Sequence, residues 1–338
     1  MKPLTILLAV SAIILASCKQ NSANMEEHYT FELNPGVVRE HVSFDNRYGI
    51  RIAADLYTPA AGLDKSKRNP AIVVGPPYSG TKEQGPGIYA NELAQKGFVV
   101  LAFDPPFFGE SDGSPRFVSS PELYSESFSA GVDYLGSLPY VDRERIGAIG
   151  ICGSGGFALN AAQVDVRIKA VVTASLVDIS ANRQMIPEGQ LEAVKKQLSE
   201  QRWKDFESGT PEVIHSFPET VSDSIPAELT DPMAREFFSY YGLKRGHHPR
   251  ARGGFTTTSQ MAFMNFRLLD YIEEISPRPI LLIASEKAQT RPLSEAVYEM
   301  ASEPKELIIV PGANHVDLYD DTSKIPFGRI TEFFNEKL

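Results

Sequence analysis

The fold is decided by one stretch of the chain, Arg145-Ile146-Gly147-Ala148-Ile149-Gly150-Ile151-Cys152-Gly153-Ser154-Gly155-Gly156. Its first half is continuously apolar, as in a buried strand, and its second half is a cluster of glycines with one cysteine at the tip. This layout predicts a sharp turn from strand to helix. Small residues must flank such a tip, because a Cβ two positions away would collide with the turning backbone. Gly150 and Ser154 occupy the flanking positions around Cys152, which is the pattern of a nucleophile elbow.

The glycine cluster offers two candidate nucleophiles, because Ser154 is bracketed by small residues as Cys152 is. Cys152 is the first residue past the apolar run, whereas Ser154 would lie in the first turn of the following helix. An elbow requires the order strand, nucleophile, helix, so we predict Cys152. Backbone N–H groups and the helix dipole at that position favour a thiolate. The competing interpretations are an inert buried cysteine and a phosphate-binding loop, although no Gly-Lys-Ser/Thr follows.

The N-terminal residues are typical of a secretory signal. Lys2 precedes an apolar run at residues 4–15, which is too short to span a bilayer, and small residues precede Cys18. This ending resembles the bacterial lipobox. The resemblance implies a signal peptide over residues 1–17, lipid attached to Cys18, a polar tether over 18–35, and a protein anchored at a bacterial envelope membrane, periplasmic or surface-facing. The alternative is an ordinary signal peptide with a bystander cysteine.

Cysteine content and charge exclude several classes of protein. The chain has two cysteines, so with Cys18 assigned to lipid Cys152 has no disulfide partner, and a free thiol in an exported protein favours catalysis over packing. No multi-cysteine metal site is possible, and we expect neither a metal nor a cofactor. The net charge is -10 and no Lys/Arg block is present, which disfavours nucleic-acid binding.

Short apolar runs alternate with longer amphipathic stretches, which predicts an α/β fold with a mostly parallel sheet and helices on both faces. Residues 37–57 alternate like an antiparallel hairpin that precedes this sheet. Between about 179 and 276 the strand rhythm stops, and we predict a helical lid insertion over the strand ends, or else an excursion that thickens one face of the core. The strand candidates are 71–75, 99–104, 145–151, 170–174, 280–284 and 307–311, and the helix candidates include 89–96 and 125–138.

A cysteine nucleophile needs a base, and His315 is the best candidate among six histidines. It follows the last strand candidate in a glycine-containing loop, from which it can reach the carboxyl edge of the sheet. His28 falls in the tether, His41 in the hairpin, and His247 and His248 in the insertion. We therefore expect those four on the surface or in the lid.

Together these residues resemble the α/β-hydrolase fold, and within it the dienelactone-hydrolase-like branch with cysteine in the elbow. The resemblance covers residues 36–338: the loop 75–80 after a strand, Asp104 with Gly109-Glu110-Ser111 after the next, Cys152, and His315 after the last. It implies an oxyanion hole made by the backbone N–H groups of Gly153 and Tyr78, with Ser79 next in order, because Pro76 and Pro77 have no N–H.

The third member of the triad departs from the family pattern. In the family this member is an acid, and the position that it usually occupies corresponds to Ala288 in this chain. Glu286 in the same loop and Asp178 after another strand are the substitutes, with Asp178 marginally preferred. A Cys–His pair tolerates this gap, since it can exist as thiolate and imidazolium without strong help from an acid.

The expected activity is hydrolysis of an ester, thioester or lactone of a small molecule, with Cys152 attacking and His315 moving the proton. The alternatives are a non-catalytic lipoprotein that binds a ligand in the same pocket, and an acyltransferase. Asp104 is expected to shape a turn, and Arg250 and Arg252 to form a solvated basic patch. The membrane partner would be reached through the lipid on Cys18, and the oligomeric state is left open.

Overall fold

The computed structural model describes residues 28–64 and 66–338 of the 338-residue chain. The predicted signal peptide, the lipid site at Cys18 and the first part of the tether lie outside these residues. Within them, no helix combines the length and the apolar character needed to cross a membrane.

The core is an eight-stranded sheet of order β1-β2-β4-β3-β5-β6-β9-β10. The first two strand pairs, β1 with β2 and β2 with β4, are antiparallel, and the remaining pairs are parallel. A separate two-stranded ribbon pairs β7 with β8. The strands are β1 (Val37–Asp45), β2 (Arg51–Pro59), β3 (Asn69–Gly75), β4 (Val99–Phe103), β5 (Val141–Ile151), β6 (Ala170–Ala174), β7 (Val213–Ile214), β8 (Phe255–Thr256), β9 (Ile280–Ser285) and β10 (Lys305–Val310).

Helices cover both faces of the sheet, so the central strands are buried on both sides and are apolar along their length. The predicted fold class is confirmed, including the leading hairpin. The helices are α1 (Gly85–Ala94), α2 (Pro121–Ser137), α3 (Gly153–Val164), α4 (Leu191–Ser208), α5 (Pro232–Tyr241), α6 (Gln260–Phe263), α7 (Arg291–Met300), α8 (Asp317–Asp320) and α9 (Phe327–Lys337), with 3-10 turns at Ile179–Met185, Thr257–Ser259 and Ile272–Ile275.

The excursion between β6 and β9 contains α4, α5, α6 and the β7–β8 ribbon. It contacts the carboxyl edge of the sheet through aromatic pairs: Phe255 stacks on Tyr78 with ring centroids 4.2 Å apart, and Phe237 meets His315 edge-on at 5.1 Å. This is the position expected of a lid. Helix α4 is mostly exposed, and Leu198 is its buried residue.

Residues 28–35, predicted as tether, are packed on the domain. The Thr30 N–H donates to the Glu83 carbonyl (3.1 Å), the Asn34 N–H to Asn91 Oδ1 (3.0 Å) and the Tyr29 hydroxyl to Asp55 (2.7 Å). Polar composition suggested a linker, but these residues make specific tertiary hydrogen bonds that composition does not reveal. The predicted domain start at residue 36 is therefore wrong, since the folded body includes residues 28–35.

Candidate active site

Cys152 lies at the tip of the turn between β5 and α3, with φ 54° and ψ −119°. A positive φ is strained for a residue with a Cβ, so the surrounding hydrogen bonds must hold it. The Cys152 N–H donates to the Ala174 carbonyl (2.9 Å), and the Cys152 carbonyl accepts from the N–H groups of Gly155 (2.9 Å) and Val177 (3.0 Å). These contacts fix the cysteine backbone to the end of β6 and to the first turn of α3.

Gly150 has no room for a side chain, as the sequence predicted. A Cβ at this position would lie 2.1 Å from the Ser154 carbonyl oxygen and 2.6 Å from the Gly155 Cα. Both neighbours are backbone atoms of the turn, so they cannot move aside without opening the elbow.

We expect Gly150→Ala to cost about 3 kcal/mol or more of unfolding free energy, because the elbow backbone must shift to admit the methyl group. Urea unfolding measures this loss. Gly328→Ala is the matched control: no atom of the described residues lies within 4 Å of a Cβ there, so it should be neutral or stabilise α9 by up to about 1 kcal/mol. Equal stability of the two variants would contradict the crowding at Gly150.

Ser154 occupies the first turn of α3 and is buried. Its hydroxyl faces β3, where a Cβ on Gly75 would lie 2.9 Å from Ser154 Oγ. Among the residues that the structure describes, Ser154 Oγ has no hydrogen-bond partner, so no base is placed to activate it.

The Cys152 thiol has three polar neighbours. The backbone N–H groups of Gly153 and Tyr78 and the hydroxyl of Tyr319 all interact with it and favour its charged form. The two N–H groups are those that the sequence predicted as oxyanion donors, and both lie beside the sulfur. Burial raises the pKa of the Cys152 thiol, and these three interactions only partly oppose it. The resting group is therefore a neutral thiol, not the thiolate that its helix N-terminal position suggested.

The pKa of Cys152 can be read from the pH dependence of its alkylation, because only the thiolate reacts. Since burial raises this pKa, the thiolate fraction should still be increasing above pH 8.5, the ordinary value for a cysteine. We expect the rate of inactivation by iodoacetamide to keep rising from pH 7 to pH 9.5. A rate that reaches its plateau below pH 7 would indicate a preformed thiolate and contradict this environment.

His315 is buried beside the elbow and is held at both ring nitrogens. Its Nε2 lies 2.9 Å from the Tyr319 hydroxyl and its Nδ1 lies 2.5 Å from Thr290 Oγ1. Burial lowers the pKa of His315 to about 3, so the imidazole is neutral at physiological pH. The Tyr319 hydroxyl therefore connects the histidine and the cysteine, because it hydrogen-bonds with His315 and interacts with the Cys152 thiol.

Neither predicted acid hydrogen-bonds to His315. The Asp178 carboxylate accepts from the N–H (2.8 Å) and hydroxyl (2.6 Å) of Ser180, and so caps the 3-10 turn that follows. Glu286 accepts from the Gly312 N–H at 2.7 Å on the exposed side of its loop. Thr290, at the start of α7, lies where the triad acid was expected, and its hydroxyl faces Nδ1. The family pattern led us to expect a carboxylate as the third member, so the hydroxyl of Thr290, two residues after Ala288, was not predicted.

Tyr319 is a residue of the site that was not predicted from the sequence. It lies in the short helix α8, four residues after His315, and is fully buried. Its hydroxyl also interacts with the hydroxyl of Tyr241, the last residue of the lid helix α5. The spacing of four residues between a histidine and a tyrosine was the available sequence signal, since such pairs lie on one side of a helical turn.

A buried charged cluster lies next to the loop 75–80, which carries the Tyr78 N–H. Lys82 Nζ contacts Glu83 (2.5 Å), Glu110 (2.7 Å) and Asp104 (3.4 Å), and Arg250 of the lid contacts Glu83 (2.6 Å) and Glu110 (3.2 Å). Burial raises the pKa of Asp104 to about 7, although Lys82 opposes the shift. Arg250 thus connects the lid to the core and is not part of a solvated patch. Asp104 accepts from the N–H groups of Lys82 and Glu110 and so shapes its turn, as predicted.

The three carboxylates of this cluster, on Glu83, Asp104 and Glu110, are close enough together to ligate one cation. The Lys82 ammonium already contacts all three. A cationic side chain of the protein therefore already serves all three carboxylates, and the geometry of the cluster does not call for a metal.

The chain is similar to known proteins over most of its length. A family model described as X-Pro dipeptidyl-peptidase (S15 family) matches residues 48–211. Protein PA2218 of Pseudomonas aeruginosa is 49% identical over 321 residues, which cover 91% of this chain and 83% of that protein. The crystal structure of PA2218 superposes with a TM-score of 0.86 over 93% of this chain and 98% of the other.

Two more distant relatives are fungal proteins. Thiohydrolase aneE of Aspergillus aculeatus is 25% identical over 79% of this chain and 83% of that protein, and polyketide transferase grgF of a Penicillium species is 25% identical over 89% and 95%. These relationships support a hydrolase or acyl-transferase type of activity. The chain belongs to the α/β-hydrolase superfamily, in one family with PA2218.

Proposed function

We propose that this protein is a cysteine-dependent hydrolase of small-molecule thioesters or activated esters, as in the dienelactone-hydrolase-like branch. Cys152 is the nucleophile and His315 the base. The observation that carries the proposal is the convergence of the Gly153 and Tyr78 backbone N–H groups on the Cys152 thiol at the tip of the elbow. Two donors beside a nucleophile form the arrangement that stabilises a tetrahedral oxyanion.

The reaction follows from this arrangement. Cys152 Sγ attacks the acyl carbon, and the carbonyl oxygen, now negative, accepts from the two N–H groups. His315 accepts the thiol proton and returns it to the leaving group as the intermediate collapses to an acyl-cysteine. Water, deprotonated by the same histidine, then hydrolyses the acyl-cysteine and restores the thiol.

The nature of the base restricts the substrate to activated acyl groups. A triad carboxylate stabilises the imidazolium that forms during attack, but here the partner of Nδ1 is the uncharged Thr290 hydroxyl. With its pKa held at about 3, His315 is a weak base. A thiolate leaves with little help from an acid, whereas an amine must be protonated. Thioesters therefore suit this site better than peptides, and a relative that is named a thiohydrolase agrees with this choice.

An apolar cavity beside the base supports an apolar acyl group. It has a volume of about 550 Å³, within the usual range of ligand pockets, and Phe237 in its wall contacts the His315 ring. None of the described residues that line it is a lysine or arginine, so the cavity has no positive charge that would bind an anionic acyl chain. Its apolar lining includes Phe217, Pro226, Leu229, Met233, Phe237 and Phe238.

A second cavity supports acyl transfer as the second candidate function. It measures about 300 Å³, and its walls include Tyr78 and Ile179, which flank Gly153. Hydroxyl groups and Arg183 make it more polar than the first, and Ser216 lines both cavities. A polar acceptor held there could take the acyl group in place of water. The relative named a polyketide transferase is consistent with this outcome.

The test is a substrate panel with the purified protein. We expect hydrolysis of the N-acetylcysteamine thioester of octanoate, weaker hydrolysis of the acetate thioester and of p-nitrophenyl esters, and no cleavage of an Xaa-Pro p-nitroanilide. Added alcohols or amines, with product analysis by mass spectrometry, separate hydrolysis from transfer. Cleavage of the anilide in preference to the thioesters would overturn the proposal in favour of a peptidase.

The apolar cavity can be tested separately by filling it. Ala234 lines it, so Ala234→Phe should raise KM for the octanoyl thioester about tenfold or more and leave the acetyl thioester within about threefold. The acetyl substrate is the internal control, since it does not need the cavity. An equal effect on both substrates would place the acyl chain elsewhere.

We also propose that the protein is exported and lipid-anchored through Cys18, on the strength of the lipobox-like ending of residues 15–18. Metabolic labelling with an alkyne fatty acid should mark the wild type and not Cys18→Ala. Labelling of both, or of neither, would overturn the anchor without bearing on the chemistry at Cys152.

A further inference from the structure

We infer that Tyr319 is a proton relay between the Cys152 thiol and His315 Nε2. This inference deepens the proposed function and rests on it. The Tyr319 hydroxyl lies 2.9 Å from Nε2 and also interacts with the thiol, so it lies between the nucleophile and the base. A proton that leaves the sulfur reaches the histidine through this oxygen.

The hydrogen-bond capacity of the hydroxyl fits the assignment. A phenol has one proton to donate and two lone pairs that accept. The Tyr319 hydroxyl has three neighbours: the thiol, Nε2 and the Tyr241 hydroxyl. If Tyr319 donates to Nε2 and accepts from the thiol and from Tyr241, its proton and both lone pairs are used.

Thr290 selects the histidine tautomer that the relay needs. Nε2 can accept a proton only if Nδ1 carries the ring hydrogen in the neutral form. The Thr290 hydroxyl, 2.5 Å from Nδ1, can accept that hydrogen. When Nε2 gains a proton, the Nδ1–H remains bonded to Thr290, so the ring does not have to turn during the reaction.

The transfer is a concerted shift of two protons. As Sγ bonds to the acyl carbon, its proton moves to the Tyr319 oxygen while the phenol proton moves to Nε2, which leaves a neutral tyrosine and an imidazolium. Collapse reverses the shift: Nε2 returns its proton to Tyr319, and Tyr319 passes its own to the departing sulfur. No free phenolate forms, which matters because burial raises the pKa of Tyr319 far above its ordinary value.

Tyr319 is also rigidly placed, as a relay requires. Its ring is fully buried and packs edge-on against His315 (5.4 Å) and Tyr240 (5.1 Å). The contact with Tyr241 joins Tyr319 to the lid helix α5.

The first experiment is Tyr319→Phe in the full-length protein, compared with Tyr89→Phe. Tyr89 is a matched control, because its buried hydroxyl donates to the neighbouring Leu318 carbonyl (2.8 Å) outside the site. We expect Tyr319→Phe to slow single-turnover acylation about 100-fold or more at pH 7, and Tyr89→Phe to stay within about threefold. The remaining acylation rate of Tyr319→Phe should increase about tenfold per pH unit from pH 7 to 9, because attack then depends on thiolate formed by hydroxide. A merely structural defect would lower the rate equally at every pH.

The second experiment uses the wild type and does not depend on how a variant folds. Acylation rates in mixtures of H₂O and D₂O should follow a curve that bows downward, because two protons move together; a straight line would mean a single transfer and would overturn the relay. Retained activity in Tyr319→Phe with an unchanged pH profile would also overturn it. If Cys152→Ala is inactive in that case, the proposed function stands without the relay; if Cys152→Ala is active, the proposed function falls as well.

Discussion

Replacement of Cys152 by alanine is expected to abolish thioester hydrolysis, with a loss of at least about 10³-fold in kcat/KM. The thiol is the group against which the Gly153 and Tyr78 N–H groups and the Tyr319 hydroxyl converge, so its removal leaves an oxyanion hole without a nucleophile. Alanine also has a Cβ, so the strain of a positive φ (54°) at this position is the same in the variant as in the wild type. The variant should therefore fold as the wild type does, and the loss should lie in the acylation step.

Ser154→Ala is the matched control for this loss. Ser154 is two residues away, buried in the first turn of α3, and its hydroxyl has no hydrogen-bond partner among the described residues. We expect activity within about threefold of the wild type. Loss of activity in Ser154→Ala together with survival in Cys152→Ala would reverse the assignment of the nucleophile. Both variants can be assayed by the release of N-acetylcysteamine.

The largest effect on stability is expected at Lys82. Lys82→Met should cost about 3–5 kcal/mol of unfolding free energy, because it leaves three carboxylates, two of them fully buried, without the cation that they share. Arg250 contacts only Glu83 and Glu110, so Asp104 would lose its one cationic contact among the described ion pairs. Urea unfolding at pH 7 measures the change.

Lys67→Met is the control for the loss of a lysine as such. Lys67 pairs with Asp64 at 3.3 Å on the surface, where its side chain is 78% exposed, and such pairs contribute at most about 1 kcal/mol. Similar costs for the two lysine variants would mean that the buried cluster is hydrated or otherwise compensated. A double variant tests the cause. If the unpaired Asp104 carboxylate causes the loss in Lys82→Met, adding Asp104→Asn to that variant should restore part of the stability.

The parts of the fold that depend on local pattern could be predicted from the sequence. The strand that ends at Ile151 is apolar because it is buried on both faces, and the glycine at 150 is required by backbone atoms only four and five residues away. Such constraints act within one segment of the chain. The same holds for the leading hairpin, whose alternation follows the pleat.

The site residues that the sequence did not yield depend on distant segments. Thr290 faces His315 because α7 begins where the loop after β9 ends, and no local pattern distinguishes this threonine from a helix cap. Asp178 was preferred from its position after β6, but its carboxylate bonds to the nearby Ser180, a local contact that competes with any distant one. The neutral state of the thiol arises from burial, which a sequence pattern does not measure.

The central claim is that the acyl group passes through Cys152, and the most direct measurement is the mass of the enzyme caught during turnover. Rapid acid quenching of the octanoyl thioester reaction, followed by proteolysis and fragment-ion sequencing of the elbow peptide, locates the acyl group by residue. We predict an octanoyl group on Cys152 that neutral hydroxylamine removes, as it does a thioester. An octanoyl group on Ser154, or substrate turnover with no acyl-enzyme at any quench time, would contradict the claim.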